Sequence, residues 1–383
     1  MKYILLLLLP LQLFATDYQI TKDTTINNTW TLKQVDRLIF TDRGYIHGTG
    51  TISGCQIIAN NYQRIFDTTL TVNTSYLSAA WYGQIQKSVN LASVVFIPAG
   101  NWRQPSITVG DGWRQKYIEI YGERGTTITC IGKGPALNLQ IAKDSRVHDL
   151  AIAGSWTPPP CDSNYYKIPI NQFGADSSYG LTIDYYGDRS TSGSSRVVVT
   201  DVYVTGFTYL FAISPNRRTQ NADDLEFTRC RGGNGRIMFS GGQAQEKANR
   251  INAPECWGSL AVFLSLGKQG KKQAGQWTVN GGSFAGQVRQ LFDWDLGYWY
   301  TTHVTDLYAE KLWSIGTIWS TKGLPVSLDK LTLQFIPGDR KLIDVVGPVS
   351  CSGCIIRKYG TTEPLRLGTL SVTGELSGEL KRD

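Results

Sequence analysis

The residues best suited to chemistry lie in one short segment, Phe292 to Tyr300, where acidic and aromatic side chains alternate. In a strand, residues two apart point to the same side, so Asp293 and Asp295 are predicted to share one face. Hydrolysis of a glycosidic bond uses two such carboxyl groups, one protonated as the acid and one ionised as the base or nucleophile. Asp293 and Asp295 are therefore the predicted catalytic pair, and Glu310, on the next coil, is a third candidate.

Aromatic residues surround these acids in the sequence. Sugar rings present apolar faces that stack on aromatic side chains, so such residues could form a binding platform. The predicted substrate-binding residues are Trp294, Tyr298, Trp299, His303, Trp313 and Trp319. A purely structural interpretation stays open, because carboxylates in turns also cap backbone amides and aromatic residues also pack in walls of strands.

A lyase would instead need a basic residue and, usually, calcium held by clustered acids. One region has that composition: Asp223, Asp224 and Glu226 with Arg217, Arg218 and Arg229. Outward strand positions also explain these acids. The histidines are scattered, and neither a phosphate-binding loop nor a dinucleotide fingerprint occurs, so no metal and no cofactor is predicted.

Short apolar segments recur along the second half of the chain. Seven of them begin at Asp201, Asp224, Arg250, Gln276, Asp306, Lys330 and Gly353, about 23 to 30 residues apart. A second strand follows most of them, at 209–213, 236–239, 261–264, 290–292, 317–319 and 341–345. Period two within strands and a longer period between them predict a parallel β-helix, in which each coil pairs with the next.

The segment from Ala79 to Trp102 organises the start of this repeat. Ile85, Val89 and Ala92 fall on one face of a short amphipathic helix, which runs into a strand ending at Pro98. The sequence therefore predicts a helix near 84–92 that caps the solenoid.

The same segment resembles the opening of the pectate-lyase-like right-handed parallel β-helix proteins. The matching parts are Trp81-Tyr82-Gly83, Ile85-Gln86-Lys87 and the run from Val95 to Trp102. That superfamily includes polysaccharide lyases, glycosidases and phage tailspikes. The resemblance implies an all-β, right-handed parallel β-helix, a polysaccharide partner and, for a tailspike, a homotrimer.

The predicted organisation has four parts. They are a signal peptide (1–15), N-terminal β-rungs (17–75), the β-helix with its capping helix (76–360) and a C-terminal tail or terminal strands (361–383). A long loop is expected over 155–180, because three consecutive prolines and no periodicity occur there.

The start of the chain and its charge bear on location and partners. Lys2, an apolar core from Ile4 to Leu13, and Ala15 read as a secretion signal, too short to span a bilayer comfortably. A secreted or cell-surface protein is expected, or alternatively a virion tail component. The net charge of +7 is spread rather than clustered, which argues against nucleic acid and suits an acidic polysaccharide.

The seven cysteines are scattered. Cys351 and Cys354 have the spacing of half a zinc site or a redox motif, but no second pair accompanies them, so they are interpreted as packed strand residues. Cys230 and Cys256 are predicted to stack on adjacent coils about 5 Å apart, which allows a disulfide without requiring one.

Three functions remain open at this stage. The first is an extracellular β-helix enzyme that binds and cleaves a polysaccharide as a glycosidase or lyase. The second is a phage tailspike or tail-fibre subunit that recognises host surface glycan. The third is a non-catalytic glycan-binding protein of the cell surface. Whether the chain is an enzyme is left undecided.

Overall fold

The computed structural model describes residues 15–112, 114–132, 134–160, 165, 168, 177–186, 193–216, 222–241, 246–267, 276–296, 301–320, 325–337, 342–360 and 376–377. Two compact units are distinguished, Met1–Pro98 and Ala99–Asp383. The helices and the strand that follows them lie within the first unit, where this strand pairs with the one before the helices. The predicted signal peptide and the tail beyond 360 lie almost entirely outside the described residues.

The strands pair in parallel in both units. Helix makes up only 4% of the structure, and the parallel strands stack as a β-solenoid of about 11 turns. This confirms the predicted all-β parallel β-helix. No helix in the described part of the chain is long and apolar enough to cross a membrane.

From residue 15 onward, the first unit contains ten short strands and two helices. Its strands are β1 (Asp17–Ile20), β2 (Asp23–Thr25), β3 (Thr29–Thr31), β4 (Arg37–Phe40), β5 (Tyr45–His47), β6 (Thr51–Ser53), β7 (Gln56–Ile58), β8 (Thr71–Asn73), β9 (Tyr76–Ser78) and β10 (Val94–Phe96). Three small parallel sheets form from β1-β4-β7, β2-β5 and β3-β6-β8. Phe66 is fully buried, and its ring centroid lies 5.4 Å from that of Phe40 and 5.3 Å from that of Tyr82.

The helices are α1 (Ala79–Tyr82) and α2 (Ile85–Leu91). Ser78 caps α1 by accepting a hydrogen bond from the amide of Ala80, and Gly83 ends it with a φ of 68°, a conformation that suits glycine. Ile85 and Val89 are buried, so the predicted helix and its apolar face are confirmed.

The second unit contains the remaining strands. These are β11 (Gly100–Gln104), β12 (Ile107–Val109), β13 (Glu119–Tyr121), β14 (Thr126–Cys130), β15 (Leu137–Leu139), β16 (Arg146–Ala153), β17 (Tyr179–Ile183), β18 (Val198–Ile213), β19 (Glu226–Thr228), β20 (Arg231–Gly241), β21 (Asn249–Asn252), β22 (Glu255–Cys256), β23 (Ser259–Leu266), β24 (Trp277–Asn280), β25 (Ser283–Phe284), β26 (Gln287–Leu296), β27 (Thr302–Thr305), β28 (Tyr308–Ser320), β29 (Val326–Asp329), β30 (Thr332–Phe335), β31 (Ile343–Val346), β32 (Val349–Ser352), β33 (Ile355–Lys358) and β34 (Leu376–Ser377).

These strands form three parallel sheets, which each turn of the chain visits in the order A, B, C. Sheet A comprises β13, β19, β21, β24, β27, β29, β32, β34 and the first parts of β16 and β18. Sheet B comprises β11, β14, β22, β25, β30, β33, the end of β16, the middle of β18 and the first parts of β20 and β28. Sheet C comprises β12, β15, β17, β23, β26, β31 and the ends of β18, β20 and β28.

Sheet C holds the long strands of the later turns. All six segments that were predicted as second strands lie in or next to it. Its inner side continues the core. The rings of Phe211 and Phe239, in register on adjacent turns, stack 4.9 Å apart, and Leu264 and Phe292 continue the same column.

From Asp149 onward, a residue with a positive φ begins each bend from sheet A to sheet B, and at one bend Gly282 adds a second positive φ. The residues that begin the bends are Asp149, Asp201, Arg229, Ala253, Gly281, Asp306, Lys330 and Gly353, with φ between 47° and 68°. From Arg229 to Lys330, the amide of each donates to a carbonyl of the next turn at 2.7 to 3.0 Å. The spacing of the predicted repeat is therefore right, but its starting residues do not all occupy the same place in the turn. Asp224, Arg250 and Gln276 lie at the start of sheet A, whereas the other four lie at the bend from sheet A to sheet B.

The cysteines differ from the sequence interpretation in two ways. Cys351 and Cys354 form a disulfide, where packed thiols were expected. Cys256 pairs in register with Gly232 rather than with Cys230, and both Cys230 and Cys256 are free and buried. Burial raises the pKa of Cys256 to about 12, so its thiol is unreactive at neutral pH.

Candidate functional site

Asp293 and Asp295 lie on the outer face of sheet C. Both are partly exposed on β26, while Trp294 between them points inward and is fully buried. The alternation that the sequence predicted for this pair is confirmed. Two residues along a strand rise about 6.6 Å, so the two carboxyl groups stand near each other on one surface.

The adjacent turns place further side chains beside this pair. Asp293 pairs with Thr317 of β28, and Thr317 pairs with Asp344 of β31. Asp295 pairs with Trp319. Strands are about 4.8 Å apart, so Asp344 lies about 9.6 Å from Asp293 at the Cα atoms. We refer to Asp293, Asp295, Thr317, Trp319 and Asp344 as the acidic face.

Trp319 is tied to Asp344 across the acidic face. Its indole Nε1 donates to Asp344 Oδ2 at 3.3 Å. The hydrogen bond orients a partly exposed ring beside the paired acids, in the position that a sugar-stacking residue would need.

Asp295 and Arg289 add two electrostatic features. Asp295 Oδ1 is inaccessible to solvent and accepts no hydrogen bond from the part of the chain that the structure describes. Arg289 is more than half buried on the same strand. Burial lowers the pKa of its guanidinium, and the charges of Tyr165 and Asp293 act in the opposite direction.

Two of the predicted aromatic residues do not take part as expected. Trp294 is fully buried, and its ring lies 4.4 Å from that of Phe292, so it belongs to the core and has no face open to a sugar. Trp313 is partly buried against a cluster that contains Tyr165, a residue of the predicted long loop. Tyr298 and Trp299 lie outside the described residues.

Glu310 and His303 are held on other sheets. Glu310 lies in the sheet B part of β28 and Thr317 in its sheet C part, with a positive-φ corner at Lys311 between the two parts. The expectation that Glu310 completes the Asp293 pair is therefore wrong. His303 is exposed on sheet A, where it pairs in register with Thr278 and Ser327.

The acids proposed for a lyase are engaged with arginines and backbone. Asp224 accepts from Arg250 at 2.8 Å, and Glu226 lies 3.6 Å from the same guanidinium. Asp223 accepts from the amide of Lys247 at 2.9 Å. Arg217 and Arg218 lie outside the described residues. No group of three or more potential metal ligands occurs in the described part of the chain.

Sequence reasoning missed Asp344 and Arg289. Asp344 lies within the last predicted second strand, 341–345, but its alignment with Thr317 and Asp293 depends on the register between turns, which the predicted segments do not give. Arg289 carried no signal either, since its burial depends on residues from distant parts of the chain.

Comparison with solved structures finds a likeness to a carbohydrate-active enzyme. The catalytic domain of a GH87 alpha-1,3-glucanase in complex with tetrasaccharides is similar to this chain at 11% sequence identity and a TM-score of 0.32, with 79% of this chain and 68% of that chain covered. No family model matches the chain. No curated protein matches it either.

Proposed function

We propose that this protein binds an acidic polysaccharide along the outer face of sheet C and hydrolyses it with Asp293 and Asp295. The observation that carries the proposal is the acidic face, where two carboxyl groups of one strand meet a third acid and an oriented tryptophan. The parallel β-helix supports it by holding these residues on rigid, hydrogen-bonded strands.

Two carboxyl groups can hydrolyse a glycosidic bond in two ways. With a water between acid and base they stand about 6.5 to 9.5 Å apart, whereas a covalent mechanism needs about 5 to 5.5 Å. The Cα atoms of Asp293 and Asp295 are about 6.6 Å apart along the strand, and the side-chain rotamers set the separation of the carboxyl groups. In either mechanism one carboxyl group would protonate the leaving oxygen while the other acts as base or nucleophile.

Binding would use the other members of the acidic face. Trp319 would stack on a sugar ring next to the cleaved bond, held in place by Asp344. The overall positive charge of the chain favours an anionic sugar such as a uronate, because a positively charged surface attracts anionic ligands.

The test compares D293N and D295N with the matched control D306N. Asp306 is an exposed acid at the A-to-B corner with a φ of 56°, a conformation that asparagine also adopts. Release of reducing ends from uronic-acid polysaccharides should fall by about 10²- to 10⁴-fold in the two site variants and stay unchanged in D306N. Equal activity in all three would refute the catalytic assignment.

The non-catalytic alternative has its own outcome in the same experiment. If the wild type releases no reducing ends but binds a polysaccharide, and W319A loses that binding, the acidic face is a binding site alone. Secretion and trimer formation remain predictions from the sequence.

A further inference from the structure

The outer face of sheet B carries a group of side chains that the proposed reaction does not use. Trp257 follows β22, and 65% of its surface is exposed, more than for any other large hydrophobic residue in the described ranges. Isolated exposed apolar residues are ordinary on protein surfaces. Trp257 differs because its orientation is fixed.

Two neighbouring charges hold the Trp257 ring in place. Its Nε1 donates to Glu255 Oε2 at 2.9 Å, and Arg231 Nε lies 3.1 Å from the same oxygen. The guanidinium carbon of Arg231 lies 5.3 Å from the centroid of the Trp257 ring. Fixing an exposed side chain costs conformational entropy in the free protein, and a ligand that uses the fixed ring does not have to order it again.

The residues on either side of the Trp257 ring have small side chains. Gly232 and Phe284 pair with Cys256, so Gly233 and Ala285 stand on either side of Trp257 in sheet B. A Cβ on Gly233 would lie only 2.9 Å from the carbonyl oxygen of Trp257. The ring is therefore not enclosed by tall side chains on the adjacent turns.

Unused hydrogen-bonding capacity borders the ring. Glu255 and Arg231 are both partly exposed, at 33% and 47%, and the Glu255 hydrogen bond and ion pair described above use only Oε2. Oε1 of Glu255 can accept from a hydroxyl group, and the terminal nitrogens of Arg231 can donate to one. Since the two charges neutralise each other, the group suits an uncharged ligand better than an anion.

We propose that Trp257, Glu255 and Arg231 form a second carbohydrate-binding site, which takes a neutral pyranose unit. The C–H face of the sugar stacks on the indole, and its hydroxyl groups bond to the carboxylate and the guanidinium. The site lies on sheet B, away from the acidic face of sheet C, and it does not depend on cleavage there.

The test measures binding of neutral gluco-, manno-, galacto- and xylo-tetraoses by calorimetric titration of the full chain. At least one of them should bind the wild type, and W257A should weaken that binding by about tenfold or more. W257F, which keeps a ring but lacks Nε1, should recover part of it. Y117A is the matched control, because Tyr117 is an exposed aromatic residue at 49% exposure and should have no effect.

Two results would overturn the site: no binding of any tetraose by the wild type, or equal binding by W257A. Its failure is distinguishable from failure of the proposed hydrolysis. The D293N variant should bind the tetraose as the wild type does, and W257A should keep its activity on short acidic oligosaccharides. If the wild type shows no hydrolytic activity, W257A is still expected to lose tetraose binding.

Discussion

The acids of sheet A and those of sheet C have different neighbours one turn away. At the edge of sheet A, Asp201 accepts two hydrogen bonds from Arg229, and Asp224 accepts one from Arg250 on the following turn. Asp144 is paired in the same way with Arg196. Each of these acids is thus held by an arginine of the following turn.

On sheet C the register neighbours of the acids are uncharged. Asp293 stands between Ser265 and Thr317, and Asp295 stands beside Trp319. One turn away, the acids of sheet A therefore meet arginines, whereas those of sheet C meet uncharged side chains. The charge that acts on Asp293 comes from Arg289 on the same strand instead.

The largest expected effect concerns the inner side of sheet C, which belongs to the core, in contrast to the outer side. W294A removes a fully buried ring that packs on Phe292, and we expect a loss of about 3 to 5 kcal/mol in the free energy of unfolding. Denaturant unfolding measures it. A loss below about 1 kcal/mol would mean that Trp294 is not part of the core.

W319A should behave in the opposite way. The ring is partly exposed on the acidic face, so its removal should change stability by only about 0.5 kcal/mol. Polysaccharide affinity should fall by about tenfold, the effect of one lost stacking contact. Denaturant unfolding and glycan binding are measured for W319A and W294A side by side. The assignment of Trp319 to the binding surface would be contradicted if W319A lost as much stability as W294A and bound the glycan normally.

The smallest effect concerns how much the acid–arginine pairs stabilise the fold at acidic pH. Hydrogen bonds from Arg229 lower the pKa of Asp201 below its usual 3.8, and those from Arg196 do the same for Asp144. A lowered pKa in the folded state adds stability that is present above about pH 4 and is lost as the pH falls through the lowered value.

The double variant D144N/D201N should therefore melt slightly below the wild type at pH 7, and the two curves should converge at low pH. High salt should reduce the difference at pH 7, because exposed pairs are screened. Melting temperatures measured across pH test this, with D306N as the control. A difference that is independent of pH would contradict the role of these pairs.

The fold followed from the sequence because periodicity is local. Period two within a strand and the recurrence of strands are both visible in the chain, and both were confirmed. The pairing of Asp293 with Asp295 on one face followed from the same alternation.

Contacts between turns were harder to predict, because register errors of one or two residues change every neighbour. The predicted stacking of Cys230 on Cys256 aligned Leu225 with Ile251, whereas the structure pairs Phe227 with Ile251. Glu310 was misplaced because β28 passes from sheet B to sheet C without a loop to mark the change. Trp257 follows a strand of two residues, too short to show alternation.

The A-to-B corner has a further consequence for protein engineering. From Asp201 to Gly353 at most two residues separate the strands at this bend in every turn, whereas the stretch from sheet C to the following strand of sheet A varies in length, as between Ile213 and Glu226 or between Val346 and Val349. Foreign peptide segments grafted into the C-to-A connections should leave the stacking of the coils intact, while a single added residue at the A-to-B bend should shift it.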